Sequence, residues 1–326
     1  MPHIAIIIPA YNEELTIKNV ILDFYLQLSS TNYNYIIYIV DNNSTDKTNQ
    51  IAKQIIEESA IPAQIIFVKR QGKANAVREI FRLVEADIYI MIDADSTYWA
   101  EDINKFIEPI INHNMDMVIG DRISSGVYKQ ENKRSFHDIG NLLVKRLINF
   151  IFNSKLNDIM TGYRGFSRRL VKSYPIICEG FELETDMTIF CLAHKFNVCE
   201  VPIKFTDRPC GSVSKLNTFS DGFKVILTIF NLFRNYKPLQ FFGIIGVILF
   251  LLGLGVGILP IAEYIKFHYI YRLPSAILSV GIIISSFLSF SIALILDSVR
   301  RDQNINFELH LLNQKHTTRY SGLHTC

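Results

Sequence analysis

Two aspartates, Asp93 and Asp95, close an apolar run of Tyr, Ile, Met and Ile at 89–92. Alternate residues at a fraying strand end can both reach one cation. Carboxylate oxygens suit Mg²⁺ or Mn²⁺, and such an ion commonly bridges the protein to substrate phosphates. A bare pair of this kind is frequent on solvated turns; its place at the end of a buried strand gives it weight. Two further apolar runs end in comparable groups. One leads into Pro9, Ala10, Tyr11, Asn12, Glu13 and Glu14, the other into Asp41, Asn42, Asn43, Ser44, Thr45 and Asp46. Helix capping accounts for an Asn12 or a Ser44, but not for two aspartates at one strand end. Lys73, Arg122, Arg208 and Lys215 supply positive charge. The spacing around Gly72 and Lys73 is not that of a P-loop, and no GxGxxG follows the first strand, which disfavours a dinucleotide site. The chemistry left is the holding of a diphosphate by one cation and scattered Lys and Arg.

Such groups need a scaffold that gathers strand ends. Short β-branched runs at 4–8, 35–40, 65–68, 88–92 and 117–119 alternate with helical stretches at 13–28, 46–57, 73–84 and 103–112. This alternation predicts an α/β domain, a Rossmann-like, mostly parallel sheet covered by helices. Near-continuous apolar strands fit a sheet buried on both faces. Ligands of open parallel sheets bind at the carboxyl ends of the strands, where the three polar clusters fall. Residues 121–215 are less regular: a polar loop at 124–134, an apolar helix at 139–152 that suits either a core or a lipid surface, a helix at 184–195 and a strand at 198–203.

The chain has 326 residues, 49% hydrophobic and 20% charged, with a net charge of +2. That excludes a disordered chain and gives no reason to expect a nucleic acid partner. Five cysteines without a CxxC pair imply neither a disulfide framework nor a zinc site. Mean hydropathy is +0.20, and its source is two uncharged runs of 24 and 22 residues at 239–262 and 275–296. At 1.5 Å per residue each can cross a hydrocarbon core of about 30 Å. Residues 221–238 carry Phe223, Ile226, Leu227, Phe230 and Phe233 at helical spacing, the pattern of an amphipathic interface helix. The division expected is a catalytic domain at 1–220, an interface helix at 221–238, a two-helix transmembrane hairpin within 239–297 and a tail at 298–326. Arg300 and Arg301 after the second run, and the lack of a signal-peptide pattern, place the catalytic domain and tail in the cytoplasm, on the inner membrane.

Several segments together resemble family 2 glycosyltransferases of the GT-A fold: IIIPAYNEE (6–14), VDNNSTDKT (40–48), QGKANAVR (71–78), MIDADSTY (91–98) and IGDR (119–122). DIMTGYRGFSRR (158–169), EGFELETDM (179–187), residues 200–222 and the two apolar runs resemble the polyprenyl-phosphate glycosyltransferase branch, which includes dolichol-phosphate mannose synthases and bactoprenol glucosyltransferases. The resemblance implies that Pro9, Tyr11, Asn12, Glu13 and Asp41 hold the donor nucleoside. It implies that Asp93, Ala94 and Asp95 form the metal-diphosphate motif, and that Arg122, Arg208 and Lys215 contact the diphosphate, with Lys73 on the same basic side. It puts Arg134 at the acceptor phosphate, with Asp158, Arg164, Glu182 and Glu184 in motifs near the sugar and acceptor pocket. Asp93, Asp95 and Arg122 are the residues expected to carry catalysis. Mannose synthases of this branch often have Gln where Thr97 stands, and the spacing from Arg208 to Lys215 is one residue longer, so the sugar stays open.

The reaction these readings imply is inverting transfer of a sugar, from a UDP-sugar rather than another nucleotide sugar, to undecaprenyl or dolichyl phosphate. The product is a lipid-linked donor for surface glycan or lipid A modification. A phosphate whose second pKa is about 6 is already an anion at neutral pH and needs no strong base, in keeping with the lack of a Ser/His/Asp set. The alternatives are a membrane-bound family 2 enzyme acting directly on a glycan or lipid, and a non-catalytic nucleotide-binding scaffold. A homo-oligomer is compatible with each.

Overall fold

Strand-forming residues here are Ile, Val and Tyr in runs too short for a helix and too apolar for a surface. In the computed structural model, which describes residues 2–124, 135–176, 178, 183–206, 230–231 and 233–321, those runs build one seven-stranded sheet. The first half alternates strictly: β1 (His3–Ala10), α1 (Ile17–Ser29), β2 (Asn34–Asp41), α2 (Thr48–Ser59), β3 (Ala63–Phe67), α3 (Lys73–Leu83), β4 (Ile88–Met91), a 3₁₀ turn, α4 (Asn104–His113) and β5 (Met117–Asp121). Then follow α5 (Ser135–Phe152), β6 (Arg164–Ser167), the one-turn α6 (Arg168–Val171), α7 (Leu183–Ala193) and β7 (Val198–Pro202). The strand order is β3-β2-β1-β4-β6-β5-β7. All neighbours are parallel except β6, which runs antiparallel to both β4 and β5. The α/β, mostly parallel expectation holds, with β6 as an addition. Its four residues, RGFS, carry no apolar run for periodicity to detect.

The core lies on both faces of the sheet. Ile17, Val20, Ile21, Phe24 and Leu28 recur at helical spacing along α1 and bury one stripe. α4 does the same with Phe106, Ile107 and Ile110, and Phe106 stacks on Tyr163 with ring centroids 4.0 Å apart. From β1 the chain builds outward to β2 and β3, then returns to place β4 on the other side of β1. The order therefore reverses between β1 and β4, and a crevice opens at such a reversal beyond the carboxyl ends.

The chain separates into two compact units, Met1–Ile226 and Leu227–Cys326. The second contains α8 (Pro238–Phe267) and α9 (Leu273–Ser321), both long and apolar enough to cross a membrane. They pair as an antiparallel hairpin. Glycines line the seam: a Cβ on Gly246 would press on the Phe290 ring at 3.0 Å, one on Gly253 would meet Ile283 Cγ1 at 2.7 Å, and one on Gly257 would meet Ser279 Oγ at 2.7 Å. The close approach lets Ser279, Ser286 and Ser289 donate to the carbonyls of Gly253, Gly246 and Phe242 at 2.7, 2.8 and 2.8 Å. Small residues with crossing hydroxyl bonds are how helices associate where water supplies no hydrophobic drive. Outward, Leu251, Ile258, Leu288 and Leu294 are all more than half exposed. The second helix does not stop with the apolar run at 296 but continues unbroken through Ser321. The expected interface helix at 221–238 falls mostly outside the described residues.

Candidate functional site

The loops after β1 and β2 are laced together. Asn12 takes a left-handed backbone (φ 53°), its side-chain oxygen accepts from Thr45 N at 2.8 Å, and its own N–H donates to Ser44 Oγ at 3.1 Å. Glu13 N donates to Thr48 Oγ1 at 2.8 Å. Asp41 is buried and accepts from Ser44 N and Asn49 Nδ2 at 3.0 and 2.8 Å. Pro9 is the last residue but one of β1, and Tyr11 is half-buried just beyond the strand. These are the residues expected at the nucleoside, and the structure brings them to one wall of the crevice.

Sequence reasoning overlooked Asn42. It is buried, and its amide donates to the carbonyls of Val68 and Arg70 at 3.2 and 2.7 Å, while its oxygen accepts from Gly72 N at 2.7 Å. One side chain thereby fixes the 68–72 loop. Gly72 has φ 120°, a conformation that favours glycine, and it starts α3 so that Lys73 is the first helical residue. Asn42 stood in the VDNNSTDKT segment, but nothing in that segment points to a partner 30 residues away.

Lys73 forms the centre of the site. Its ammonium pairs with the Asp93 carboxylate and donates to Glu184 Oε1 at 2.6 Å. Burial works to lower its pKa, but the Asp93 and Glu184 carboxylates outweigh it and hold the pKa above the ordinary lysine value. Lys73 thus stays charged at any physiological pH. Gly162 crowds the other side of Asp93, since a Cβ there would collide with the carboxylate. Asp95 is buried, and its Oδ1 accepts from Thr97 N and Oγ1 at 3.2 and 2.6 Å. Thr16 Oγ1 donates to the Ala94 carbonyl at 2.6 Å, tying the start of α1 to the acidic loop. Ser96, next in the chain, has φ 58°, strained for a serine. The hydroxyl of Tyr98 accepts from Gly162 N at 2.9 Å and lies 3.3 Å from Thr161 Oγ1. Burial, then the Asp93 and Asp95 carboxylates, push its pKa up, against the opposing Arg122.

Arg122 follows β5 and is gripped by Asp158, with Nε to Oδ2 at 2.7 Å and Nη2 to Oδ1 at 2.9 Å. Its guanidinium lies 5.3 Å from the Phe205 ring centroid. Glu200 of β7 in turn accepts from Asn157 N and Asp158 N at 2.7 and 2.8 Å. Asp158 was expected at the acceptor phosphate; the structure shows it as the partner of Arg122. Arg164 was expected there too, but it lies fully buried in β6. Its guanidinium donates to the Thr161 and Ile159 carbonyls at 2.9 and 2.5 Å and to Thr188 Oγ1 at 2.8 Å. Those bonds make it a strut of the core, because a guanidinium so enclosed has no path to an external ligand. Arg134, Glu182, Arg208 and Lys215 lie outside the described residues. A bridge between Tyr98 and Phe205, with Thr206 N donating to Thr97 O at 3.0 Å, shows the chain arriving beside the acidic loop just ahead of Arg208.

Asp93 and Asp95 supply hard oxygen donors to the crevice, and no third His, Cys, Asp or Glu completes a metal cage among the described residues. Two carboxylates leave most positions to waters and phosphate oxygens, which fits Mg²⁺ or Mn²⁺ better than an ion that demands an all-protein shell.

Known proteins agree with this architecture. Over 160 residues the chain is 43% identical to an uncharacterised protein of Shigella flexneri, spanning 48% of this chain and 98% of that protein. Glycosyltransferase AglJ of Haloferax volcanii is 30% identical over 82% of this chain and 83% of its own. The UDP-N-acetylglucosamine–dolichyl-phosphate N-acetylglucosaminyltransferase of Methanococcus voltae is 30% identical over 68% of this chain and 92% of its own. Among solved structures, glucosyl-3-phosphoglycerate synthase of Mycobacterium tuberculosis, in complex with Mn²⁺, UDP-glucose and phosphoglyceric acid, superposes with a TM-score of 0.55 at 18% identity. The match covers 71% of this chain and 79% of that one, and it shows a shared GT-A fold. Residues 5–174 match the glycosyl transferase family 2 domain, and the chain belongs to that family as a glycosyltransferase.

Proposed function

We propose that this protein is a membrane-anchored, inverting glycosyltransferase that moves a hexose or N-acetylhexosamine from a UDP-sugar to a polyprenyl phosphate. One observation carries the reading: Asp93, Asp95 and Arg122 beyond the strand ends, with Lys73 paired to Asp93, belong to the same chain as a glycine-seamed hairpin whose outer side chains are large, apolar and exposed. Such a surface is compatible with lipid and not with water. The relative from Methanococcus voltae is named for a UDP-sugar donor and a dolichyl-phosphate acceptor. A second, from Haloferax volcanii, is named a dolichyl-phosphate hexose transferase.

In this reading the walls of Tyr11, Asn12, Glu13 and Asp41 hold the nucleoside. Asp93 and Asp95 hold Mg²⁺ or Mn²⁺, which when bound screens the negative charge of the diphosphate. Lys73 and Arg122 add fixed positive charge on the side where the leaving group gains electrons. An acceptor phosphate oxygen attacks the anomeric carbon as the bond to the diphosphate oxygen breaks, and the electron pair leaves with the diphosphate. The attacking group arrives ionised, so no side chain needs to take its proton. Arg134, Arg208 and Lys215 complete the proposed anion contacts. The catalytic unit faces the cytoplasm, with the hairpin crossing the inner membrane twice.

The test is a lipid-product assay. Purified protein in detergent receives undecaprenyl phosphate, Mn²⁺ or Mg²⁺ and a panel of nucleotide sugars, and the lipid phase is read by mass spectrometry. The expected product is a polyprenyl-phosphate monosaccharide formed from one UDP-sugar. Nucleotide binding with no lipid product from any donor overturns the acceptor assignment and favours direct glycosylation of another acceptor.

A further inference from the structure

The partly buried ion cluster of Lys73, Asp93 and Glu184 has a feature that the transfer reaction leaves unused. Glu184 stands in the first turn of α7, buried, and Lys73 donates to it at 2.6 Å. The same ammonium pairs with Asp93, a carboxylate that the reading above assigns to the divalent ion. A carboxylate oxygen already engaged by an ammonium is a poorer ligand, and two cations crowded on one carboxylate repel each other. The anchors differ in character. Glu184 is held by a helix packed in the core, whereas Asp93 lies beyond the end of β4 and is the more exposed of the two, at 27% against 8% for its side chain. Lysine is a compact charge on a flexible four-carbon stem, suited to leaving one partner while keeping another. Asp93 and Glu184 bring two carboxylates to one lysine, and Asp95 stands two residues on from Asp93, a balance that favours an incoming divalent cation.

We propose that Lys73 is a resident cation that occupies Asp93 in the ligand-free protein and withdraws onto Glu184 as the divalent ion and diphosphate enter, Glu184 being the residue that positions it. The inference rests on the assignment of Asp93 and Asp95 as the ion's ligands. Lys73 then plays two parts: it competes with the bare ion, and it favours the ion together with the diphosphate, since the freed ammonium meets the phosphate charge. Loading becomes ordered, with the free ion held weakly and the nucleotide-bound ion held well. Glu184 acts through Lys73 and touches no substrate.

The test is Mn²⁺ binding by the full-length protein in detergent, followed by the loss of free Mn²⁺ signal in electron paramagnetic resonance, with and without UDP and without turnover. Lys73→Met is expected to tighten Mn²⁺ binding without UDP by about fivefold or more, the lower end of ordinary site-to-site coupling, and to weaken UDP binding at saturating Mn²⁺. Glu184→Gln, nearly isosteric, is expected to weaken Mn²⁺ binding in the parent protein and to leave it unchanged in the Lys73→Met background. Lys73→Gln, which keeps a donor for Glu184, serves the same comparison should thermal melting show the Met variant unfolded. Unchanged Mn²⁺ affinity in both lysine variants overturns the proposal. So does an equal loss from Glu184→Gln in both backgrounds, which would make Glu184 an independent part of the ion's field. Absence of Mn²⁺ binding by the unaltered protein, even with UDP, instead overturns the assignment of Asp93 and Asp95, a distinguishable failure.

Discussion

Gly162 has no side chain because Asp93 stands where one would go. A Cβ at that position would collide with the carboxylate, and the rigid neighbours leave it nowhere to shift: Gly162 N donates to Tyr98 Oη, and Tyr163 beside it is stacked in the core. In Gly162→Ala the Asp93 carboxylate must rotate away. Misplacing a reacting group by about 1 Å can cost about 100-fold in rate, so turnover should fall by that order while the melting temperature changes little; steady-state assays beside thermal melts check this. Glu200 offers a second prediction, in pH. Burial, and then the Asp121 and Asp158 carboxylates, raise its pKa above the ordinary glutamate value, against the Asp158 and Asn157 N–H groups that lower it. A raised folded-state pKa means stability that is present below the unfolded pKa and is lost as pH rises through the folded one. Glu200→Gln still offers an oxygen to the same N–H groups and removes the ionisation. Its melting temperature should match the parent near pH 4 and exceed it progressively towards pH 7. At this scale the sequence was most readable where placement depends on one short segment, as for Asp93 and Asp95 just beyond the end of β4. It was unreadable where a residue's role depends on a remote partner, as for Glu184, which meets Lys73 from 111 residues away, or Arg164, whose family-like motif implied a place at the acceptor but whose burial makes it a strut.

Elements decide how firmly those residues are held. The strands and helices of the first half follow from apolar periodicity, and the site loops follow from where strands end; hence the crevice walls could be read before the structure. Antiparallel β6 escaped because four residues without an apolar run resemble any loop, and only its pairing with β4 and β5 makes it a strand. The 68–72 loop has no regular structure and relies on Asn42. Asn42→Ala removes three hydrogen bonds to the loop backbone, one of them to the buried Val68 carbonyl, each worth about 1 kcal/mol with a further penalty where a buried group is left unpaired. Lys73 would lose its fixed base, so the Kd for UDP with Mn²⁺ should rise by about tenfold or more, measurable by calorimetry. In the hairpin, Gly253 lies close enough to α9 that Gly253→Leu must push the helices apart and break the Ser279 bond to its carbonyl. Overpacking of this kind costs about 1–3 kcal/mol, so the melting temperature in detergent should drop, while Gly255→Leu, at a position with open space around it, should leave it unchanged.

At the scale of the whole molecule, two units with separate cores share one chain, and the question is what the hairpin contributes to transfer. The first unit has its own continuous sheet and its own buried core, so on the proposed reading nucleotide recognition should not depend on α8 or α9. A polyprenyl tail, however, stays in the bilayer and presents its phosphate only at the surface. If the hairpin anchors the catalyst there, as proposed, it converts an encounter in solution into one confined near the membrane, and such tethering raises effective concentration by about 10²- to 10⁴-fold without any new contact. Residues 1–226 expressed alone should therefore bind UDP as tightly as the full chain. They should use a short, water-dispersed polyprenyl phosphate at a comparable rate, yet lose at least about tenfold in turnover on long-chain polyprenyl phosphate embedded in vesicles. The decisive comparison is the ratio of the two rates for each protein. A ratio that the hairpin does not change would mean that α8 and α9 serve something other than acceptor delivery, and an equal loss on both acceptors would mean that they help build the site itself.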